Sequence, residues 1–291
     1  MQKCDDPVVL DQWYAVCAED ELVDGVVNTR LLGAELCCGR EPGGKPVVTA
    51  DGSPVPVRQR YGFVWTTLGT PARDVFDIEE SREPDRRYVP CGWITLRTSP
   101  GRVVENFLDM AHFPFVHTGI LGGDANTEVA KYQAEIRHDV DEVWATNCRF
   151  FQPQVSAATE GAYAQLTYRV PAPYMVMLYR VSPVDPSRRD AIALFIQPIA
   201  EDLCRAQPVM YLVDPDSEHT DLLHFEQIIF LQDRIIVENQ RPLLLPLEPR
   251  EEIPTRADSS SVTYRRWLKS KGLRWGALPF TQVHPSKEGS R

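Results

Sequence analysis

The sequence predicts an α+β protein, in which a small β lobe precedes an antiparallel sheet that holds a long helix. Three observations lead to this expectation. Short runs rich in aromatic and β-branched residues alternate with Pro, Asp and Gly across residues 127–213, as is typical of strands joined by turns. Residues 219–239 repeat apolar side chains near helical spacing. Shorter strand-like runs occur before residue 66 and are followed by a charged, Pro-containing stretch.

The N-terminal elements are predicted to be short. Residues 13–16, 30–36 and 61–65 have the composition of strands. Residues 39–56 are rich in Gly and Pro, so we expect a loop there. Residues 69–89 are charged and contain proline, which suits a connector between two lobes.

The remaining elements follow from the same rules. Residues 102–117 predict a helix interrupted near Pro114, because proline lacks an N–H donor and disfavours a helical residue before it. A last helix is predicted from residue 258 to Gly272. Its inward-facing side chains are predicted to be Val262, Trp267 and Leu268. The predicted strands of the large sheet are 142–151, 161–170, 174–181, 191–199 and 208–213.

Composition narrows the class of protein. The chain has 291 residues and a net charge of −10, which argues against nucleic acid or an anionic membrane as its partner. We expect a cytoplasmic protein, because there is no membrane-spanning apolar run and no signal-peptide pattern. The seven cysteines are scattered without a Cys-x-x-Cys pair, so reduced thiols are expected. Cys37 and Cys38 are adjacent with no histidine nearby, which is a poor pattern for structural zinc.

A candidate metal half-site lies in residues 105–117 (ENFLDMAHFPFVH). His112 and His117 are five residues apart and follow Asn106 and Asp109. An oxygen-activating non-haem iron needs two neutral imidazoles and one carboxylate on one side, with open positions on the other. The alternatives are two hydrogen-bonded core histidines, or zinc, although the spacing does not match a zinc-protease motif.

Asp233 is the candidate carboxylate. It lies in the apolar helix predicted over residues 219–239, where a carboxylate that points inward needs a compensating partner. The alternative is that Asp233 faces solvent and pairs with Arg234.

Four segments, in order, resemble Rieske-type non-haem iron oxygenases, of which the demethylases acting on methylxanthines and vanillate are the nearest subgroup. Residues 105–117 resemble the iron-binding signature of that family. Residues 230–242 (FLQDRIIVENQRP) resemble the helix that carries the third iron ligand. Residues 60–68 (RYGFVWTTL) resemble the strand that closes the Rieske domain, and residues 258–268 (DSSSVTYRRWL) resemble the C-terminal helix.

The resemblance implies a fold and a set of roles. Residues 1–90 would be a degenerate Rieske-like β domain without a cluster. Residues 91–291 would be a mononuclear iron catalytic domain of the helix-grip (START/Bet v1-like) type. By resemblance, the ligands of Fe(II) are His112, His117 and Asp233. Asp109 would orient a ligand histidine and carry electrons, Asn106 would lie near the iron, and Gln240 would either bind substrate or cap a helix.

One family feature is absent from the sequence. A Rieske [2Fe–2S] cluster needs two cysteines and two histidines, which the family presents as Cys-x-His and Cys-x-x-His. Neither motif occurs, and His112 is the first histidine in the chain. We therefore expect no [2Fe–2S] cluster in this chain. Electrons would come from NAD(P)H through a Rieske cluster supplied in trans by a partner reductase.

The expected function is the catalytic subunit of a multicomponent O2-dependent monooxygenase. It would remove an N- or O-methyl group from a small heteroaromatic such as a methylxanthine. The alternatives are hydroxylation of an aromatic ring or side chain, and a non-catalytic scaffold subunit. A trimer or a heteromeric complex is expected, with a structural subunit or a catalytic paralogue as further partners. Five side chains could line an apolar substrate pocket, although for each of them a place in the core is the favoured alternative: Phe150, Tyr168, Met175, Met177 and Phe195.

Overall fold

The computed structural model describes residues 2–23, 25–123, 127–154, 161–249 and 251–279. In these residues the structure has three layers. A large antiparallel sheet lies in the middle, with helices on one face and two smaller sheets on the other. This arrangement confirms the predicted α+β class, including the long helix held against an antiparallel sheet.

The strands are short in the N-terminal part and long in the central sheet. In the described chain they are β1 (Tyr14–Ala18), β2 (Val27–Leu31), β3 (Ala34–Arg40), β4 (Pro46–Ala50), β5 (Ser53–Pro54), β6 (Val57–Arg60), β7 (Phe63–Thr66), β8 (Arg87–Pro90), β9 (Ile94–Leu96), β10 (Gln133–Arg137), β11 (Glu142–Gln152), β12 (Ala162–Ala172), β13 (Met175–Val181), β14 (Arg189–Ala200) and β15 (Leu203–Leu212).

Two long helices and several short ones complete the described chain. The α-helices are α1 (Pro7–Leu10), α2 (Pro100–Leu108), α3 (Phe113–Val116), α4 (His219–Asn239) and α5 (Ser259–Lys271). Single turns of 3-10 helix occur at Asp20–Leu22, Glu79–Arg82 and Arg256–Asp258. No helix in this part of the chain has the length and apolar character needed to cross a membrane.

The central sheet has the order β10-β11-β12-β13-β14-β15-β8, and β9 also pairs with β15. All of these pairs are antiparallel, as expected for consecutive strands joined by turns. The smaller sheets have the orders β1-β7-β6 and β2-β3-β4-β5. Residues 69–89, predicted as a connector, end inside β8 and therefore already contribute an edge strand to the central sheet.

The two faces of the central sheet pack against different layers. Leu194 and Ile196 alternate along β14 onto the face that packs with α2, α4 and α5. Met175, Met177 and Phe195 point to the opposite face and pack with Phe63 and Trp65 of the N-terminal sheet. These three residues are therefore core of the lobe interface and not pocket lining. Phe150 and Tyr168 fall on the helix side of the sheet and are also buried in the core, which agrees with the favoured alternative for all five residues.

Two N-terminal predictions need correction. Residues 39–56 are not a continuous loop, because the β-branched run of β4 pairs with β3 within them. The run 30–36 is not one strand but a hairpin, which turns at Leu32 (φ 51°) and Gly33 (φ 83°). A Cβ at Gly33 would stand 2.2 Å from the backbone oxygen of Gln2, so this turn requires glycine.

The helical predictions agree with the structure more closely. The bounds of α4 equal the predicted 219–239, and α5 ends at Gly272, whose left-handed φ of 75° caps the helix. Trp267 and Leu268 are buried as predicted, whereas Val262 is only half-buried. The interruption predicted near Pro114 begins earlier, at Asp109, and Pro114 lies in the first turn of α3, where its missing N–H has no cost.

Candidate metal centre

The break between α2 and α3 positions the two histidines. Helix α2 ends at Leu108, and Asp109 adopts an extended conformation there. The Oδ1 atom of Asp109 accepts a hydrogen bond of 2.7 Å from the backbone N–H of Ala111, which fixes a tight turn. His112 and His117 then flank the single helical turn of α3, and their ring centroids are 5.0 Å apart.

Three acceptor atoms converge between α3 and α4. The Nε2 atoms of His112 and His117 are 3.1 Å apart. Asp233 Oδ1 lies 3.2 Å from the first nitrogen and 3.0 Å from the second. This oxygen is buried and makes no hydrogen bond to any described residue. Three ligands at about 2.1 Å from one ion, at right angles, stand about 3.0 Å apart, so the triangle fits a facial two-histidine, one-carboxylate set.

The opposite nitrogen of each imidazole is held by a different side chain. His112 Nδ1 lies 3.2 Å from Asp109 Oδ2, and His117 Nδ1 lies 2.8 Å from Gln232 Oε1. Carboxylate and amide oxygens accept hydrogen bonds, so each Nδ1 carries the proton and each Nε2 presents a lone pair. When both Nε2 atoms are unprotonated, these two lone pairs and the carboxylate oxygen repel one another, and either a proton on one imidazole or a metal ion between them relieves the repulsion.

The pKa values of His112 and Asp233 also indicate that the site favours a bound positive charge. Burial lowers the pKa of His112, but the neighbouring carboxylates of Asp109 and Asp233 outweigh burial and raise this pKa to about 9. Burial raises the pKa of Asp233, yet the two histidines outweigh it and bring this pKa to about 2. The carboxylate is thus ionised at neutral pH, and a metal ion that binds here displaces a proton from His112.

An open cavity of about 590 Å³ reaches one side of these ligands. Asn106, Asp109, His112 and Gln240 line it, whereas His117 and Asp233 do not. Gln240 directly follows the last residue of α4, and its side chain makes no hydrogen bond among the described residues. The structure therefore brings all six predicted site residues to one region.

The chain matches known proteins over most of its length. Residues 96–274 match the family model of the vanillate O-demethylase oxygenase C-terminal domain. The probable methylxanthine N7-demethylase NdmC of Pseudomonas sp. (strain TJI-51) is 44% identical over 271 residues, which cover 92% of this chain and 96% of NdmC. The chain belongs to the Rieske oxygenase alpha-subunit family. It is an enzyme of the non-haem iron demethylase branch, and the two histidines with Asp233 form its candidate mononuclear iron site.

More distant relatives agree with this assignment. The methylxanthine N1-demethylase NdmA of Pseudomonas putida is 24% identical over 72% of this oxygenase, and the match covers 58% of NdmA. The solved structure of Pseudomonas putida CBB5 NdmA with caffeine superposes with a TM-score of 0.73 at 18% identity, covering 90% of each chain. NdmB from the same strain gives 0.75 at 20% identity, covering 91% of each. At these identities the superpositions establish the shared fold.

Sequence reasoning missed two residues beside the centre. Gln232 holds His117, but adjacency to Asp233 in the sequence did not reveal which of the two would face the histidine. Phe113 packs edge-on against His112 and lies 6.1 Å from the His117 ring, between the two ligands in the chain. Phe113 directly follows His112 in the sequence, and this position could have indicated that its ring lies beside the two histidines.

Proposed function

We propose that this oxygenase is the catalytic subunit of a multicomponent N-demethylase that acts on a methylxanthine or a close heteroaromatic. The observation that carries the proposal is the convergence of His112 Nε2, His117 Nε2 and Asp233 Oδ1. It occurs in a chain that is 44% identical to a relative named as an N7-demethylase. Oxidative demethylation replaces one methyl C–H by C–OH, and the N–CH2OH product then releases formaldehyde and the free N–H.

The residues have separate tasks in this proposal. Iron held by the two histidines and Asp233 would supply the activation of O2. Asp109 and Gln232 fix the orientation and tautomer of the ligand imidazoles through their Nδ1 atoms. Asn106 lies next to the ligand region and would bind water or substrate, and Gln240 would hydrogen-bond a polar group in the same cavity.

Electrons are proposed to arrive from NAD(P)H through a Rieske cluster on a partner reductase. One O2 takes up two electrons and two protons beyond those of the C–H bond, and the second oxygen atom leaves as water. Two observations support a partner in trans. The sequence contains no Cys-x-His or Cys-x-x-His motif. Asp109, hydrogen-bonded to a ligand histidine, lines the cavity that opens to the surface.

Apolar side chains near the centre support a heteromeric or trimeric complex. Phe115, between the two histidines in the chain, is 72% exposed, and Ile235, on the solvent side of the helix that carries Asp233, is 64% exposed. Ile228 and Leu231 continue the exposed strip along α4 at helical spacing. Contiguous exposed apolar surface of this kind marks interaction sites, so the Rieske-containing partner is proposed to contact this strip.

The test is iron binding combined with formaldehyde release. The purified protein should take up about one Fe(II) per chain anaerobically, without acid-labile sulfide. With NADH and a Rieske-containing reductase, it should release formaldehyde from a methylxanthine. Asp233→Ala should lose both iron and turnover, whereas Asp221→Ala, on the exposed first turn of the same helix, should keep both. Full activity of the Asp233→Ala complex would indicate a scaffold subunit.

Asp109→Asn separates electron delivery from metal binding in the same assay. The variant should keep its iron, because the two histidines and Asp233 remain, but turnover should fall because the charged link to His112 is gone. Native metal content with unchanged turnover would exclude Asp109 from the electron route.

A further inference from the structure

The peptide unit directly before Asp109 is held by a buried serine. Ser260 Oγ donates a hydrogen bond of 3.1 Å to the backbone oxygen of Leu108, the last residue of α2. A carbonyl group at the end of a helix has no partner within the helix, so it needs one from elsewhere when it is buried. Ser260 and Leu108 are each 1% exposed, so this hydrogen bond is shielded from water.

A tyrosine hydroxyl orients Ser260 in turn. Tyr132 Oη lies 2.9 Å from Ser260 Oγ and accepts a hydrogen bond of 2.9 Å from the backbone N–H of Ser260. The hydroxyl proton of Tyr132 goes either to the backbone oxygen of Ala257 at 2.5 Å or to Ser260 Oγ. Both arrangements leave the hydroxyl proton of Ser260 for Leu108. Tyr132 directly precedes β10 and Ser260 lies in the first turn of α5, so three elements meet at the end of α2.

The hydrogen bond to Leu108 sets the position of Asp109. A peptide unit is planar, so the oxygen of Leu108 and the Cα atom of Asp109 belong to one rigid group. A donor that fixes this oxygen therefore also fixes the point from which the Asp109 side chain begins. Asp109 Oδ2 lies 3.2 Å from His112 Nδ1. Ser260 and Tyr132 do not line the large cavity, so their route to the metal centre runs through the backbone at Asp109.

We infer that Ser260 and Tyr132 are positioning residues for the metal centre, which set the peptide unit before Asp109 and, through Asp109, the ring of His112. The inference rests on the proposed function, because it takes Fe(II) as the bound ion. The other carboxylate oxygen of Asp109 is held at 2.7 Å by the backbone N–H of Ala111. This side chain therefore has little freedom to recover its hydrogen bond to His112 when its backbone moves. The alternative is that the two hydroxyls only stabilise the packing of α5 against α2.

The test is a double-mutant cycle that measures Fe(II) affinity. The affinity is determined anaerobically by competition with a calibrated chelator, without reductase or substrate. Ser260→Ala should weaken Fe(II) binding about three- to tenfold, which is less than the range of about 10- to 100-fold for direct removal of an outer partner. In the Asp109→Asn background the same change should alter the affinity by less than about twofold, because the link that carries its effect is already broken.

A second variant and a matched control complete the experiment. Tyr132→Phe keeps the buried ring, and it should weaken Fe(II) binding in wild type and have no effect in the Asp109→Asn background. Tyr264→Phe is the control, because Tyr264 is buried on α5 and donates its hydroxyl proton to the backbone oxygen of Pro173 at 2.6 Å. This control should leave the Fe(II) affinity unchanged.

The possible results lead to different conclusions. Equal losses of affinity in the wild-type and Asp109→Asn backgrounds, or no loss for both Ser260→Ala and Tyr132→Phe, overturn the positioning role and leave the iron centre in place. An equal loss for Tyr264→Phe also overturns it, because weakening α5 is then sufficient. If circular dichroism shows that Ser260→Ala does not fold, the cycle with Tyr132→Phe decides. Failure of wild type to bind Fe(II) overturns the proposed function and this inference with it.

Discussion

At the scale of single residues, the metal centre depends on which nitrogen of each histidine carries the proton. Asp109 sets this for His112, and Gln232 sets it for His117 with a hydrogen bond of 2.8 Å. Outer partners of metal-bound histidines typically change metal affinity by about 10- to 100-fold when they are removed. Gln232 is therefore as much a part of the centre as the ligands.

Gln232→Leu should weaken Fe(II) affinity by about 10- to 100-fold, because the His117 ring loses the acceptor that fixes its tautomer. Competition with a calibrated chelator under anaerobic conditions measures the change. Gln227→Leu, on the same helix, removes a hydrogen bond to the backbone of Cys91 and should leave the affinity unchanged. Equal affinities for the two variants would contradict this role of Gln232.

The sequence predicted the three candidate ligands and the supporting residue Asp109, but it did not predict the support from Gln232. Residue type and spacing alone left core histidines and a solvent-facing Asp233 as alternatives, and the resemblance to the oxygenase family singled out His112, His117 and Asp233. The role of Gln232 depends on how α4 is rotated about its axis, and that rotation is set by packing against the sheet. Its hydrogen bond to His117 could be identified only in the folded chain.

At the scale of elements, a buried ion network joins α2, α5 and the segment after α4. Arg102 is fully buried and donates to Glu105 at 3.1 Å, to Glu252 at 2.6 Å and to the backbone oxygen of Pro242 at 3.0 Å. Arg265 of α5 pairs with both acids. The network thus holds α2 in place beside the large cavity. Helix α2 leads directly into the turn at Asp109.

Arg102→Met should destabilise the protein by about 3–5 kcal/mol, because Glu105 and Glu252 then share one arginine in a buried setting. Denaturant unfolding monitored by circular dichroism gives the free energy of unfolding. Arg30→Met, which breaks an exposed pair with Glu35, should change it by less than about 0.5 kcal/mol. A loss for Arg102→Met no larger than for this control would show that the network contributes nothing.

Elements were predictable where a local pattern was strong. Helix α4 repeats apolar residues over many turns, so its bounds agree with the sequence. Strands β4 and β8 were missed because each is short and adjoins Gly, Pro or charged residues. These two strands form because they pair with β3 and β15, and such pairing between distant segments cannot be predicted from local composition.

At the scale of the whole molecule, the central sheet is covered on both faces. Phe195 on the lobe face lies 4.9 Å from Trp65 and 5.5 Å from Phe63, measured between ring centroids. Strand β1 also contacts β14, and the backbone N–H groups of Leu32 and Gly33 donate to Pro198 and Ile199. These contacts predict that the two predicted domains, residues 1–90 and 91–291, unfold together.

Phe195→Ala should cost about 3–5 kcal/mol through the loss of buried ring contacts with the N-terminal sheet. Unfolding followed by tryptophan fluorescence and by circular dichroism should still give one coincident transition, shifted to lower denaturant. Phe115→Ala, at a 72% exposed site, serves as the control and should change little. Two separate transitions in wild type would show that the lobes fold independently.

The face of the central sheet that packs against the N-terminal lobe also determines which parts of that lobe are needed for folding. Its inward residues, such as Trp65 and Phe63, wall off one side of the catalytic sheet, whereas the residues of β6 point largely to solvent. The packing of the inward residues therefore does not depend on the solvent-facing residues of the lobe. A catalytic sheet separated from this lobe would expose its aromatic side chains to water, so the lobe is needed for folding whatever else it once carried.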